Sequence, residues 1–544
     1  MARADLLLTG GRVWAGLGLP PANAIAITGE RVLAVGAAAD LAEFAGPGTR
    51  HVDLAGRLLL PGFDDAHQHL LPYGVSLVEV DVRPVTAPTL EGFLKQVRAR
   101  AESLPPGTWV IGRGYDHFRL DVGRHPTRWE LDRAAPNNPV FIKRTCGHLA
   151  VLNSAGLAAA GITLGSGTPD GGMVERENGL PTGLIAERAL ELVADVLPAY
   201  PLDTLVRGIE AAGRLCLAQG ITSVGDAGVG FKQGWDDYLA YRRALAEDRL
   251  PVRANLCFSA GPAGILERAI AEGLISGQAE GLLRIGPAKL ITDGSAGGRT
   301  AFMSEPYLGP DCGCGVLCLT PDYLSRRIPE LHALGWQLAV HAIGDQAIQI
   351  AIDAMKAGQR HAPLAGRRHR IEHCGFITML QIAEMARHGI EPVPQPVFMV
   401  DFGDLYVDVL GPARTVGAYP MRAWMEAGLR PAASSDCPVS ATDPFVNLWG
   451  MVTRRTSRGT VLGANQALGL DEALHAMTAN GAHVAFAEAE RGRLEPGMLA
   501  DFCVVDRDLF GLDPAEWAPD VAAPQVDLTA LGGRVLHDRH GEIG

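Results

Sequence analysis

No stretch of this chain reaches the roughly 18 uninterrupted apolar residues that a helix needs to cross a bilayer, so no membrane span is expected. The start, Met1-Ala2-Arg3-Ala4-Asp5-Leu6-Leu7-Leu8-Thr9-Gly10-Gly11, holds three leucines before a Gly-Gly turn, too short an apolar run for a secretory signal. Positive charge is in deficit, with a formal net charge of -13 and a pI near 5.7. A nucleic acid or an anionic membrane as main partner would call for a clustered basic face. The densest basic run, Arg367-Arg368-His369-Arg370, is too short to supply one. Cysteine is sparse as well: nine residues without a repeating framework suit reduced thiols in a cytoplasm. The one grouping, Cys312-x-Cys314-x3-Cys318, lacks a fourth ligand at zinc-site spacing. It reads as three thiols in a glycine-rich loop, with a metal or disulfide knot as the alternative.

What is present is an ordinary globular composition, 47% hydrophobic and 20% charged over 544 residues, enough for two or three domains. Residues 1–57 read as short strands (Leu6–Thr9, Arg12–Trp14, Ala24–Ile27, Arg31–Val35) punctuated by Gly-Gly, Pro-Pro and Gly-Glu. Residues 486–544 hold similar runs at 500–506 and 533–536, so the two ends are expected to build one small β-sandwich. Between them, apolar runs of four to eight residues alternate with longer amphipathic stretches, the pattern of repeated β-α units and a parallel sheet. Eight candidate strands can be counted: Leu58–Leu60 running into His67, Ile221–Gly225, Val252–Phe258, Ala288–Thr292, Gln337–His341, Arg370–His373, Glu391–Val397 and Leu429–Ser434. Eight units close a (β/α)8 TIM barrel, assigned here to residues 58–71 and 206–485. Pro392, Pro394 and Pro396 count against the seventh, although on alternate residues their missing N–H groups would all face one neighbour.

Residues 72–205 are far more than the about 30 that one β-α unit takes. They read as an inserted α+β domain, with strand-like runs at 109–112 and 139–142 and a helix starting at Leu184. Leaving the barrel right after strand 1, the insertion is expected to overhang the active-site mouth.

In such barrels the chemistry sits at the C-terminal ends of the strands. Strand 1 ends in His67-Gln68-His69, whose histidines share a side of an extended segment. Strand 4 contains Lys289, strand 5 ends in His341, strand 6 in His373 and strand 8 in Asp436. Singly, each has an unremarkable explanation: core histidines, a lysine reaching for solvent, a capping aspartate. Together, four histidines, a carboxylate and a lysine in apolar company suffice for two cations about 3.5–4 Å apart. Buried, the lysine loses its proton readily and, neutral, can add carbon dioxide to form a carbamate.

Six segments then carry a family likeness: Pro61-Gly62-Phe63-x3-His67-x-His69, Lys289-x3-Asp293-Gly294-Ser295-x3-Arg299-Thr300-Ala301, His341-Ala342-Ile343-Gly344-Asp345, Ile371-Glu372-His373, Ser434-Ser435-Asp436-Cys437-Pro438 and Gly497-x2-Ala500-Asp501. In combination they resemble the metal-dependent amidohydrolase superfamily, and within it the YtcJ-like branch that includes N-substituted formamide deformylases. The resemblance implies a barrel plus β-sandwich, an insertion after strand 1, and zinc as the usual metal. It also implies a ligand set: His67, His69 and Asp436 on one ion, His341 and His373 on the other, and carboxylated Lys289 as bridge, with a one-metal site as the alternative.

The expected reaction is hydrolysis of a non-peptide C–N bond, in an amide or N-substituted formamide, by metal-activated hydroxide attacking the carbonyl. Asp436 would carry the proton from the water to the leaving nitrogen. Asp345 and Glu372, close in sequence to His341 and His373, are placed to orient imidazoles, with helix capping or salt bridging as the alternative. Arg299 and His148 are candidates for contacting substrate, and a structural role is the alternative for each. The expected partner is a small-molecule amide, with no nucleic acid and no membrane; a homodimer is left open. Two rivals remain. One is a cyclic amidase or esterase on the same scaffold; the other is a non-enzymatic regulator of exoenzyme production, which would be expected to have lost ligands that this chain keeps.

Overall fold

The computed structural model describes residues 2–144, 149–169, 172–194, 196–310, 312–363 and 366–542. The chain divides into two compact units, one made of Met1–Leu71 and Ala212–Gly544, the other of Pro72–Ala211.

In the first unit both ends of the chain share one eight-stranded sheet. Its order is Arg534–Asp538, Val526–Leu531, Phe502–Val505, Leu58–Pro61, Leu6–Val13, Ala22–Thr28 and Arg31–Gly36, with Arg50–Asp53 also paired to Leu6–Val13. Period-two alternation explains how it packs: Ile25 and Ile27 enter a cluster with Leu59, Phe502 and Val504, while Ala24 and Ala26 turn to another with Leu7 and Leu41. The apolar run at 58–60, expected to lead the barrel, belongs instead to this sheet, where Leu58–Pro61 runs antiparallel to Phe502–Val505. The chain changes sheets at Gly62. A Cβ there would sit 2.2 Å from Thr222 Oγ1, so the passage is open only to glycine.

The second sheet of this unit is the barrel. Its parallel strands are strand 1 (Phe63–Gln68), strand 2 (Ile221–Val229), strand 3 (Arg253–Ser259), strand 4 (Leu283–Ile291), strand 5 (Leu338–Ala342), strand 6 (Arg370–His373) and strand 7 (Glu391–Val393), paired in that order. Strand 7 is shorter than expected, because a helix, Val397–Leu410, starts where the strand was expected to end. The eighth expected strand, Leu429–Ser434, forms no regular ladder. The prolines supply the reason. Ala432 and Ser434 donate to the carbonyls of Pro392 and Pro394 at 3.1 and 3.0 Å, but those residues have no N–H to return. On its other side the segment joins strand 1, with Asp436 N donating to His67 O at 2.8 Å and His69 N to Cys437 O at 2.7 Å. An irregular segment thus closes the barrel, and it carries Asp436.

The basic run at 367–370 does not form a surface patch, since His369 and Arg370 are buried. His369 belongs to a chain of hydrogen bonds satisfied only when both of its imidazoles are neutral. Leu338 N donates to His369 Nδ1 at 3.1 Å, His369 Nε2 lies 2.7 Å from His332 Nδ1, and His332 Nε2 lies 2.6 Å from Ala362 O. Because His369 Nδ1 accepts from the Leu338 N–H and His332 Nε2 must donate to the Ala362 carbonyl, the middle bond runs from His369 Nε2–H to His332 Nδ1.

The second unit holds a six-stranded sheet in the order Gly172–Glu177, Leu180–Glu187, Leu149–Leu152, Val140–Arg144, Val110–Tyr115, Val80–Asp81. The helix expected from Leu184 is a strand there: Leu184, Ile185 and Ala186 pair with Val151, Ala150 and Leu149. A short apolar run has the same appearance in a buried strand as in a helix, and cross-strand burial decided it. The helix Leu90–Glu102 follows its N-cap Thr89, whose side chain accepts from Gly92 N. Among the described residues no helix is long and apolar enough to cross a membrane.

Burial holds His369 down to about 3, with His332 and Arg367 adding to the effect. The folded state therefore binds fewer protons than the unfolded chain once pH falls below the ordinary histidine value. Stability present near neutrality is lost as pH drops from about 6.5 toward 3, at up to about 1.4 kcal/mol per pH unit from this group. Urea melts of wild type and His369→Gln at pH 7 and pH 5 measure it: the wild type should lose more stability on acidification, and equal losses would contradict the assignment.

Candidate metal centre

The rim formed by the C-terminal ends of the barrel strands gathers the polar residues that the apolar strands cannot hold elsewhere. His67 is the fifth residue of strand 1 and His69 follows the strand. Lys289 lies in strand 4, His341 in strand 5 and His373 at the end of strand 6, while Asp436 comes from the closing segment. His373, Cys374 and Asp436 have φ of +66°, +53° and +55°. Such left-handed conformations cost energy in residues with a side chain, and their concentration here ties backbone strain to the site.

His67 Nε2 and His69 Nε2 lie 3.3 and 3.2 Å from Asp436 Oδ1. One ligand atom from each residue of this trio falls within 4.8 Å of the others. Asp436 Oδ1 is buried and, among the described residues, has no hydrogen-bond partner. A buried carboxylate oxygen is ordinarily satisfied, so an unsatisfied one aimed between two imidazole nitrogens fits a divalent cation. Burial alone would raise the Asp436 carboxyl; the imidazoles of His67, His69 and His373 outweigh it and hold the group well below the usual carboxylate range.

His373 packs between His67 and His341, with ring centroids at 4.9 and 4.4 Å. Its burial, reinforced by those two rings, keeps it neutral at physiological pH. Each of the three imidazoles has one nitrogen engaged. His67 Nδ1 makes a very short contact with Glu372, His373 Nδ1 lies 2.6 Å from Gln395 Oε1, and His341 Nε2 lies 3.1 Å from Gly294 O and 3.3 Å from Asp293 Oδ1. The other nitrogen of each is left to act as ligand. Lys289 is 3% exposed, and burial lowers its pKa against the opposing pull of Glu372, Cys257 and Asp436.

Glu372 serves His67 across the barrel rather than its sequence neighbour His373. It is held in turn by Arg370, whose Nη2 lies 2.9 Å from Glu372 Oε2 and also donates to Ala66 O at 2.9 Å. Burial would push Glu372 up, but Arg370 and His67 keep it ionised. Asp345 begins the helix Asp345–His361 and accepts from Ser304 N at 2.8 Å, and the carboxylate that reaches His341 is Asp293. Asp293 also accepts from Ile343, Gly344 and Phe302 N–H groups at 2.8–3.0 Å, fixing the loops that follow strands 4 and 5. Arg299 is exposed and points its Nη1 at Cys312 Sγ, 3.4 Å away. Cys312, Cys314 and Cys318 are free thiols. His148 lies outside the described residues. Gln395 and Arg370 join the site without being among its sequence-predicted residues. A signal for the second existed in Arg370-x-Glu372, two residues apart on one side of a strand; an amide between two prolines offers none.

Comparison with known proteins gives a consistent picture. A family model described as the amidohydrolase family matches residues 50–537. The putative amidohydrolase YtcJ of Bacillus subtilis is 30% identical over 509 residues, covering 91% of this chain and 92% of that protein. An N-substituted formamide deformylase of Arthrobacter pascens is 30% identical over 537 residues, 96% of either chain. A crystal structure of an uncharacterized metal-dependent hydrolase from Pyrococcus furiosus superimposes with a TM-score of 0.77 at 28% identity, covering 92% of this chain and 99% of that one.

Gln395 is the only described group bonded to the Nδ1 of His373, so Gln395→Ala should free that ring to rotate. Loss of such a partner typically weakens a metal site about 10–100-fold. Equilibrium dialysis against a graded chelator, read by metal content, tests this, and affinity equal to wild type would contradict it.

Proposed function

The chain belongs to the amidohydrolase family, and from its site we propose that it is a metal-dependent hydrolase of a non-peptide C–N bond, in an amide or N-substituted formamide. The observation that carries this reading is the buried, unpartnered Asp436 Oδ1 converging with the Nε2 atoms of His67 and His69. These three would hold one ion; His341 and His373, each with a ring nitrogen to spare, would hold a second. The bound metal, zinc in this reading, supplies Lewis acidity toward the carbonyl and lowers the pKa of water toward about 7.

The remaining work falls to the chain. Asp436, kept ionised by its imidazole neighbours, accepts the proton of the attacking water and returns it to the leaving nitrogen. Glu372 fixes His67 as the Nδ1–H tautomer, so that Nε2 faces Asp436. Lys289, pressed by burial toward the free amine, can add carbon dioxide with loss of a proton; as a carbamate it would supply carboxylate oxygens as further metal ligands. Phe231 lies 6.4 Å from the His69 ring and Phe398 6.3 Å from that of His373, apolar surfaces that favour an apolar substituent on the substrate. The described cysteines are all free, which supports a reducing compartment, the cytoplasm.

Asp436→Asn cannot accept the proton, whereas its amide oxygen keeps the shape of the ligand. Turnover on a panel of N-formyl, N-acetyl and cyclic amides and esters should fall about 10²–10⁴-fold, with the fold and at least one metal retained. The preferred substrate in that panel separates the formamide reading from a cyclic amidase or an esterase. Near wild-type kcat at neutral pH would sink the assignment of Asp436 as the base.

A further inference from the structure

At the opposite pole of the barrel from the histidines, a cavity of about 590 Å³ opens where the roots of strands 6 and 7 meet the segment that leads to Ala432. Its wall carries Arg367, Arg368, Arg387 and Arg430 against a single lining carboxylate, Glu391. Glu391 is already engaged, accepting from Arg430 N at 2.8 Å and lying 3.5 Å from His483 Nε2. Clustering cations costs self-repulsion, and in a chain of net charge -13 carboxylates are plentiful. Among the described residues only Arg368 has drawn one in, Glu488.

The other three arginines have no carboxylate partner among the described residues. Arg367 gives Nη1 to Gly335 O at 2.8 Å, while its buried Nε has no hydrogen-bond partner. Arg430 points Nη1 at His483 Nδ1, 2.8 Å away. Arg387 is exposed at the end of the helix Met379–His388, where the helix dipole favours a cation. That explanation does not extend to Arg367 and Arg430, which lie in no helix. Guanidinium groups bind carboxylates and phosphates through paired N–H donors, and the cavity is within the size range of small-molecule sites, about 300–1,000 Å³.

We propose that this cavity binds a small organic anion bearing two or more carboxylate or phosphate groups. The site shares no residue with the metal centre, and the inference does not rest on the hydrolytic reading. Isothermal titration of the full, metal-loaded chain at constant ionic strength tests it, with succinate and fructose 1,6-bisphosphate as probes. At least one should bind with 1:1 stoichiometry, and which of them binds distinguishes a dicarboxylate from a phosphate ester. The double substitution Arg387→Gln/Arg430→Gln should weaken that binding at least tenfold, and His69→Ala should leave it unchanged. If circular dichroism shows the double variant unfolded, Arg387→Glu alone, at an exposed position, should give the same loss. Failure of both probes to bind the wild type, undiminished binding in the folded arginine variant, or loss of binding in His69→Ala would overturn the proposal.

Discussion

The buried relay from Arg370 through Glu372 to His67 is the contact on which the site depends. All three side chains are essentially excluded from water, and an unpaired charge at such a depth would cost several kcal/mol. Each member satisfies the next: the guanidinium compensates the carboxylate, the carboxylate fixes the imidazole, and Arg370 reaches back to the carbonyl of Ala66, one residue before His67. Strand 6 is thereby locked to strand 1 across the interior, and a ring nitrogen of His67 is committed before any ligand arrives. Preorganisation of this kind lets a site hold imidazoles and carboxylates close together without their collapsing into ordinary ion pairs.

The closing segment shows the same economy of parts. A regular eighth strand would present its ladder to strand 7, but alternate prolines remove one side of that exchange. The segment is consequently free to adopt the left-handed turn at Asp436, while its bonds to strand 1 hold the turn against His67 and His69. Gln395 ties the two features together. It is flanked by the prolines Pro394 and Pro396, accepts from His373 and donates to Ser434 Oγ at 3.0 Å, so the irregular side of the barrel is also the side that orients its histidine.

Much of this was legible in the amino-acid sequence, for physical reasons. Strands buried on both faces read as short apolar runs, so strands 2 to 6 were visible, and a polar residue ending such a run stands out as His341 and His373 did. The likeness to amidohydrolases likewise rested on local segments. What escaped depended on partners distant in sequence. The run at 58–60 is apolar in either sheet, and only pairing with 502–505 assigns it. Glu372 stands beside His373 in sequence, yet strand alternation turns it toward His67. The basic run at 367–370 splits, with two members in the cavity wall and two in the interior, because strand 6 starts at its last residue, Arg370, and His369 just before it accepts from Leu338 N inside the fold. Asp345 lost its expected part to Asp293, since helix geometry carried it to Ser304 instead.

The central claim is that His67, His69 and Asp436 together hold an ion. The most direct measurement is anomalous scattering from crystals of catalytically active protein, collected on either side of the zinc absorption edge. The account predicts a peak about 2.0–2.2 Å from the Nε2 atoms of both histidines and from Asp436 Oδ1. Active crystals with no metal peak at that position, at this edge or any other, would contradict it.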